Sequence, residues 1–182
     1  MTLNENEQNF INALYYDNYD ICKSLIDKRV INVNLEYPAV WKISILQTAV
    51  ENGNYRITKL LLQNGANVHH EDHMGRTPIF FAKDPKICNL LLNYGANINH
   101  RSSSGSTPLM GLCINIFCEK DIVIFLISRG ADLSLKNKYG ENIIQQRNNY
   151  NIKEYNEVTE ILVTEQNKQR IYLQRKHLIS LI

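Results

Sequence analysis

The chain has 182 residues, 44% hydrophobic and 21% charged, with a formal net charge of +2, which provides apolar material for a core but no general attraction to nucleic acid or an anionic membrane. The polar, acidic start, Met1-Thr2-Leu3-Asn4-Glu5-Asn6-Glu7, is not expected to act as a secretory signal, and no run of about 18 apolar residues offers a membrane-spanning helix. Cys22, Cys88, Cys113 and Cys118 form no C-x-x-C pair, so they are read as reduced thiols of an intracellular, cytoplasmic protein rather than a zinc or redox motif.

Along the chain, the first predicted unit spans about residues 5–34. In it Asn18-Tyr19-Asp20-Ile21 aligns with Asn54-Tyr55-Arg56-Ile57 of the next unit, and Ile31-Asn32-Val33-Asn34 closes the unit. The second, about 35–70, has Ser44-Ile45-Leu46-Gln47-Thr48-Ala49, then Asn54-Tyr55-Arg56-Ile57 and Leu60-Leu61-Leu62-Gln63-Asn64-Gly65-Ala66-Asn67-Val68. The third, about 71–100, reads Gly75-Arg76-Thr77-Pro78-Ile79-Phe80-Phe81-Ala82, then Leu90-Leu91-Leu92-Asn93-Tyr94-Gly95-Ala96-Asn97-Ile98. It is short: 18 residues separate Thr77 from Gly95, against 21 between Ser44 and Gly65. Asp84-Pro85 fills the gap and suits an N-cap and first turn for its second helix. The fourth, about 101–136, repeats the two phrases as Gly105-Ser106-Thr107-Pro108-Leu109-Met110-Gly111 and Phe125-Leu126-Ile127-Ser128-Arg129-Gly130-Ala131-Asp132-Leu133. The fifth, about 137–165, begins at Asn137-Lys138-Tyr139-Gly140-Glu141-Asn142.

Two phrases recurring in one order at a period of about 30–36 residues signal a stacked-repeat architecture. Thr77 and Thr107 are placed to N-cap a first helix, with Pro78 and Pro108 in its first turn. Ile57/Leu60/Leu61, Ile87/Leu90/Leu91 and Ile122/Phe125/Leu126 fall at i, i+3 and i+4, one apolar face of a second helix. Gly65, Gly95 and Gly130 then stand where a left-handed residue ends a helix. Each unit therefore reads as helix, turn, helix and loop, and neighbours must stack to bury the apolar faces.

These residues resemble the ankyrin repeat, with its G-x-T-P-L-H-x-A, I-V-x-L-L-L and G-A-D-V-N phrases. The resemblance covers nearly the whole chain and implies an all-α ankyrin-repeat solenoid of about five helix-turn-helix units. The array occupies residues 1–150, and residues 151–182 hold the second helix of the last repeat and a C-terminal extension. The family's His, which ties neighbouring repeats together, is replaced by Gln47, Phe80 and Met110.

In the extension, acidic Glu154, Glu157, Glu160 and Glu165 precede basic Lys168, Arg170, Arg175 and Lys176, an order that complements a helix dipole. Val158, Ile161 and Leu162 read as the packed face of the last repeat, the stripe stops across residues 165–170, and a new apolar patch runs from Ile171 to Ile182. A long capping helix that folds back over the open end of the array accounts for this pattern. A partner-binding tail, or self-association through Ile171–Ile182, is the alternative.

No P-loop, Gly-rich dinucleotide turn, G-x-S-x-G or H-E-x-x-H is present, so no enzyme, cofactor or metal is expected. His69-x-x-x-His73 has useful metal spacing only on a helix, whereas this stretch reads as a hairpin loop, and its histidines, like His100 beside the next fingertip, are read as solvated. Cys88 sits beside Ile87 and reads as core.

Binding is the activity the resemblance leaves. Ankyrin repeats bind with loop fingertips and the exposed ends of the first helices. By motif position the fingertips here are Val40, Trp41 and Ile43; His73, Met74 and Arg76; Ser103, Ser104 and Ser106; and Lys138, Tyr139 and Glu141, with Glu51 and Asn52 at a helix end. Trp41, Met74 and Tyr139 are expected as anchors, with His73, Arg76 and Lys138 as polar specificity. For Trp41, the only Trp in the chain, packing beneath the first two repeats is an equal alternative. The expected function is a non-catalytic module that recruits or blocks a partner protein, with no nucleic acid or membrane involved. With 23 Asn and 22 Ile, the composition is that of an AT-rich genome and suits a host-directed effector. A bacterial accessory or immunity protein that neutralises a cognate enzyme, and a homo-oligomer built through the C-terminal helix, are the alternatives.

Overall fold

The computed structural model describes residues 3–37, 41–114, 119–149 and 157–179. Among these residues the chain forms nine α-helices and one 3-10 turn, in chain order α1 (Glu5–Tyr15), α2 (Tyr19–Asp27), α3 (Ile45–Glu51), α4 (Tyr55–Gln63), the 3-10 turn Pro78–Phe81, α5 (Pro85–Asn93), α6 (Pro108–Cys113), α7 (Lys120–Ser128), α8 (Ile143–Asn149) and α9 (Glu157–Ile179). They stack in two layers. The first helices, α1, α3, the 3-10 turn, α6 and α8, follow one another in one layer, and the second helices, α2, α4, α5, α7 and α9, follow one another in the other. The expected all-α solenoid of stacked helical units is what forms.

Local chemistry starts most of these helices where the sequence signals them. Ser44 caps α3 in a reciprocal box: its hydroxyl accepts from Gln47 N–H, and the Gln47 amide oxygen accepts from Ser44 N–H. Thr107 caps α6 by accepting from Met110 N–H, with Pro108 in the first turn. Asp84 caps α5 through Lys86 N–H, and Pro85 follows it as expected. The first unit lacks a Thr-Pro, and Asn4 serves instead, boxed with Glu7.

Unit three departs from the helix-turn-helix expectation. Its first element is only the 3-10 turn Pro78–Phe81, and Thr77 makes no side-chain capping bond although it is buried. The reason is length. Only Ala82 and Lys83 separate Phe81 from the Asp84-Pro85 start of α5, and a proline restrains the residue before it from helical geometry.

The core is one continuous cluster running through the array. The i, i+3, i+4 faces of the second helices supply much of it: Ile57, Leu61, Ile87, Leu91 and Leu126 are fully buried, and Phe125 is half-buried. Gly65, Gly95 and Gly130 end α4, α5 and α7 with φ of 85°, 90° and 93°. Arg29 occupies the same position after α2 with φ 56°, a conformation that disfavours any residue carrying a Cβ.

The C-terminal helix does not fold back. α9 runs unbroken from Glu157 to Ile179, with Val158 and Leu162 buried, while Ile171, Tyr172 and Leu173 stay exposed. The polar interruption of its apolar stripe is a docking device. Gln166 donates to Leu133 C=O, and Gln169 donates to Ala131 C=O and accepts from Leu133 N–H. These amides hold the middle of α9 to the loop after α7, and beyond them the described array has ended.

Candidate functional site

The second to fifth units each enter their first helix through a tight loop, and these four successive loops align along one edge of the stack. In the earliest, Tyr37 N–H donates to Ile43 C=O and Ile45 N–H to Leu35 C=O. In the next three, Asp72, Ser102 and Asn137 hold equivalent places: their N–H groups donate to the carbonyls of Arg76, Ser106 and Glu141. Neighbouring loops are stitched by backbone bonds: His73 N–H to Trp41 C=O at 3.1 Å, Ser103 N–H to Met74 C=O at 2.8 Å, and Lys138 N–H to Ser104 C=O at 2.9 Å. The fingertips thus form one ledge rather than four independent loops.

Side chains set the shape of this ledge. The buried Asp72 carboxylate accepts from Met74 and Arg76 N–H, and it pairs with the Arg76 guanidinium through Nε at 2.8 Å and the terminal nitrogen at 2.7 Å. Asn137 makes the same two backbone contacts to Tyr139 and Glu141. Ser102, Ser104 and Ser106 link their hydroxyls in a chain at 3.0 Å per contact.

The candidate residues divide into two groups. Trp41 is 50% exposed, Met74 46% and Tyr139 79%; His73 and Lys138 are exposed as well. Trp41 is not packed beneath the first repeats: its ring meets the edge of His73, with centroids 4.6 Å apart. Ile43 and Ser104 are half-buried and serve the loops. Arg76 is occupied on two sides, by Asp72 and by the Phe81 ring 4.7 Å from its guanidinium carbon, so it supports the fingertip more than it projects from it. Glu51 and Asn52 are exposed at the end of α3. Val40 lies outside the described residues, as does Cys118.

Two residues that sequence reasoning assigned to solvent bind the loops together. His70 Nε2 lies 2.6 Å from Lys42 C=O, and His100 Nε2 lies 3.1 Å from Gly75 C=O. Because each partner is a carbonyl, the ring nitrogen donates. Each bond reaches back 28 or 25 residues from the end of a unit to the finger loop that opens it, and both rings are mostly buried. Gln47, at the place of the absent consensus His, makes a link forward to the next unit, its amide donating to Arg76 C=O at 2.7 Å. Phe80, at the same place one unit on, instead meets the edge of the His100 ring.

Behind the ledge, the shortened third unit leaves a notch of about 300 Å³, with Arg76, Phe80, Phe81 and Lys83 on one side and Gly111, Leu112 and Ile114 on the other. It has an apolar floor and a charged rim that includes Glu51 and Glu119. Among the described residues, no three of His, Cys, Asp and Glu are grouped to hold a metal ion, and no helix is long and apolar enough to cross a membrane. Burial pushes the Cys22 and Cys88 thiols up to about 12 each, and both are fully buried in the core.

The comparison with known families describes the same object. The description "Ankyrin repeats (3 copies)" matches residues 10–102 and again residues 46–137, which together cover more than half of the chain. No curated protein matches it. Ankyrin repeats generally mediate protein–protein interaction and are typically non-catalytic. Two stacked helix layers, left-handed glycines closing the second helices and finger loops along one edge all agree with that match: the chain belongs to the ankyrin-repeat family.

Proposed function

We propose that this chain is a non-catalytic adaptor that binds a partner protein along the fingertip ledge, with Trp41, Met74 and Tyr139 as its anchors. The observation that carries this reading is their placement. Three large, partly apolar side chains stand exposed on the first, second and fourth of the aligned loops, and backbone hydrogen bonds that run through the intervening serine loop fix them relative to one another. A pre-organised row of this kind loses little conformational entropy on binding, and Trp and Tyr are enriched among the residues that dominate binding energy. His73 and Lys138 supply polar contacts at the same edge, and the notch beside Phe81 gives room for a side chain of the partner. The buried thiols suit the reducing interior of a cell, which we take as its compartment. Its asparagine- and isoleucine-rich composition favours a host-directed role over a housekeeping one.

The test is capture from host or native-cell lysate followed by mass spectrometry. Wild type runs beside Trp41→Ala/Met74→Ala/Tyr139→Ala, with folding checked by circular dichroism. Arg76 stays intact because its loss would strand the buried Asp72 carboxylate. A protein retained by wild type and lost by the folded triple variant supports the reading. Equal retention by both refutes the fingertip site.

A further inference from the structure

In the layer of second helices, away from the loops that lead into the first helices, α7 and α9 line a cleft of about 520 Å³. Its floor is apolar, formed by Ile124, Ile127 and Ile161, and Ile124 is 48% exposed. Its rim carries Glu157, Glu160 and Glu165 from α9; Glu157 pairs with Lys120 and Glu165 with Lys168, and Glu160 stands exposed. The same helix carries the opposite character further on, where Ile171 and Tyr172 are 47% and 65% exposed beside Arg175 and Lys176.

Helical spacing puts the two halves on one continuous stripe. Glu160, Thr164, Lys168, Ile171 and Arg175 follow one another at intervals of three or four residues and so share a face of α9. Thr164 and Glu160 line the cleft, and Ile171 and Arg175 continue the stripe beyond the described array. A stripe that is acidic with an apolar cleft at one end, and basic with exposed apolar side chains at the other, is complementary to itself when turned end for end.

We infer that a second copy of this chain occupies the cleft, with two α9 helices packed antiparallel about a two-fold axis near Asn167 and Lys168. In that register Glu160 of each copy faces Arg175 of the other, and Thr164 faces Ile171. Ile171 and Tyr172 of one copy then cover the Ile124–Ile161 floor of the other. The contact is isologous, the self-complementary kind that closes a dimer and adds no further copies. Helical rise gives an overlap of about 22 Å between the paired Glu160 and Arg175 positions. The face lies away from the fingertips, so the dimer leaves the proposed partner site open on both copies.

Sedimentation or light scattering on the full chain tests this with charge-swap variants at two exposed positions. Wild type should move from the 21.1 kDa monomer towards twice that mass as concentration rises, and added salt should weaken the association. Arg175→Glu alone and Glu160→Arg alone should each remain monomeric, since each homodimer would pair like charges twice. An equimolar mixture of the two should recover the dimer mass, because each then supplies the charge the other lacks. Trp41→Ala/Met74→Ala/Tyr139→Ala should dimerise as wild type does, which separates this result from the fingertip reading. A wild type that stays monomeric over the accessible concentrations overturns the proposal and leaves the cleft to some other occupant. A dimer indifferent to both swaps, or a mixture that stays monomeric, overturns the antiparallel register.

Discussion

Gln47→Ala probes the stitching of the array at a single side chain. Gln47 is almost wholly buried and makes two kinds of contact. Its oxygen accepts from Ser44 N–H at 2.8 Å, and its amide nitrogen donates to Arg76 C=O at 2.7 Å, joining the second unit to the third. The two losses differ in weight. Arg76 C=O keeps a bond from Asp72 N–H, so it is weakened but not orphaned. Ser44 N–H is at a buried residue, and Gln47 is its acceptor. An orphaned buried donor costs about 1–3 kcal/mol, and the lost inter-unit bond adds about 0.5–1.5 kcal/mol. The substitution should therefore destabilise by about 2–4 kcal/mol, or lower Tm by about 5–15 °C for a chain of this size. Urea and thermal unfolding followed by circular dichroism measure it. Gln47→Glu adds a signature: it keeps the acceptor for Ser44 N–H but sets a carboxylate oxygen against the Arg76 carbonyl. Its deficit should shrink as pH falls, because the protonated acid regains a donor. A Gln47→Ala deficit under about 0.5 kcal/mol, or a Gln47→Glu deficit that does not respond to pH, would refute the assignment of Gln47 as the inter-unit tie.

Four further outcomes follow from the same geometry. Asp72→Asn should be mild and Asp72→Ala severe, by about 2 kcal/mol or more in urea unfolding, since Asn137 shows that an amide oxygen can hold the two loop N–H groups while Ala holds neither. Gly75→Ala should destabilise more than Gly65→Ala although both have positive φ, because a Cβ at Gly75 meets the Ser103 backbone nitrogen at 2.9 Å while one at Gly65 meets nothing within 4 Å; thermal melts of the pair rank them. Arg29→Gly should raise stability by about 1 kcal/mol by relieving a left-handed residue at the end of α2. The folded-state rise of Cys22 and Cys88 from 9.0 to about 12 means that the neutral thiols contribute stability present below pH 9.0 and lost as pH rises towards 12. Both should resist iodoacetamide at pH 8 until the chain is unfolded, as mass spectrometry of the alkylated protein would show.

Much of the fold is legible in the sequence because its determinants are local and repeated. A capping Ser or Thr, the i, i+3, i+4 apolar triplets and the terminal glycines act within a dozen residues, and their recurrence supplies the register. What escapes is long-range or accidental to one unit. His70 and His100 read as solvated because their carbonyl partners lie 28 and 25 residues away in the chain. Gln166 and Gln169 interrupt an apolar stripe and look like surface, yet their partners are the backbone groups of a loop more than 30 residues earlier. Thr77-Pro78 carries the signature of a capped helix, and only the crowding by Asp84-Pro85 shows that it yields a 3-10 turn. At the candidate site, sequence position placed Trp41, Met74 and Tyr139 on loops. The bonds that align those loops, and the carboxylate that occupies Arg76, are properties of the stacked state.

The most direct test of the adaptor reading uses the single tryptophan. Trp41 is the only Trp in the chain, and half of its surface is exposed at one end of the proposed contact, so its emission reports on the ledge without a label. Titration with the captured partner, chosen or engineered to lack tryptophan, should shift Trp41 emission to the blue in a saturable way as the ring leaves water. The Met74→Ala/Tyr139→Ala variant should require a higher partner concentration for the same shift. Saturable binding, followed independently by calorimetry, that leaves Trp41 emission unchanged would place the contact elsewhere on the molecule and contradict the account.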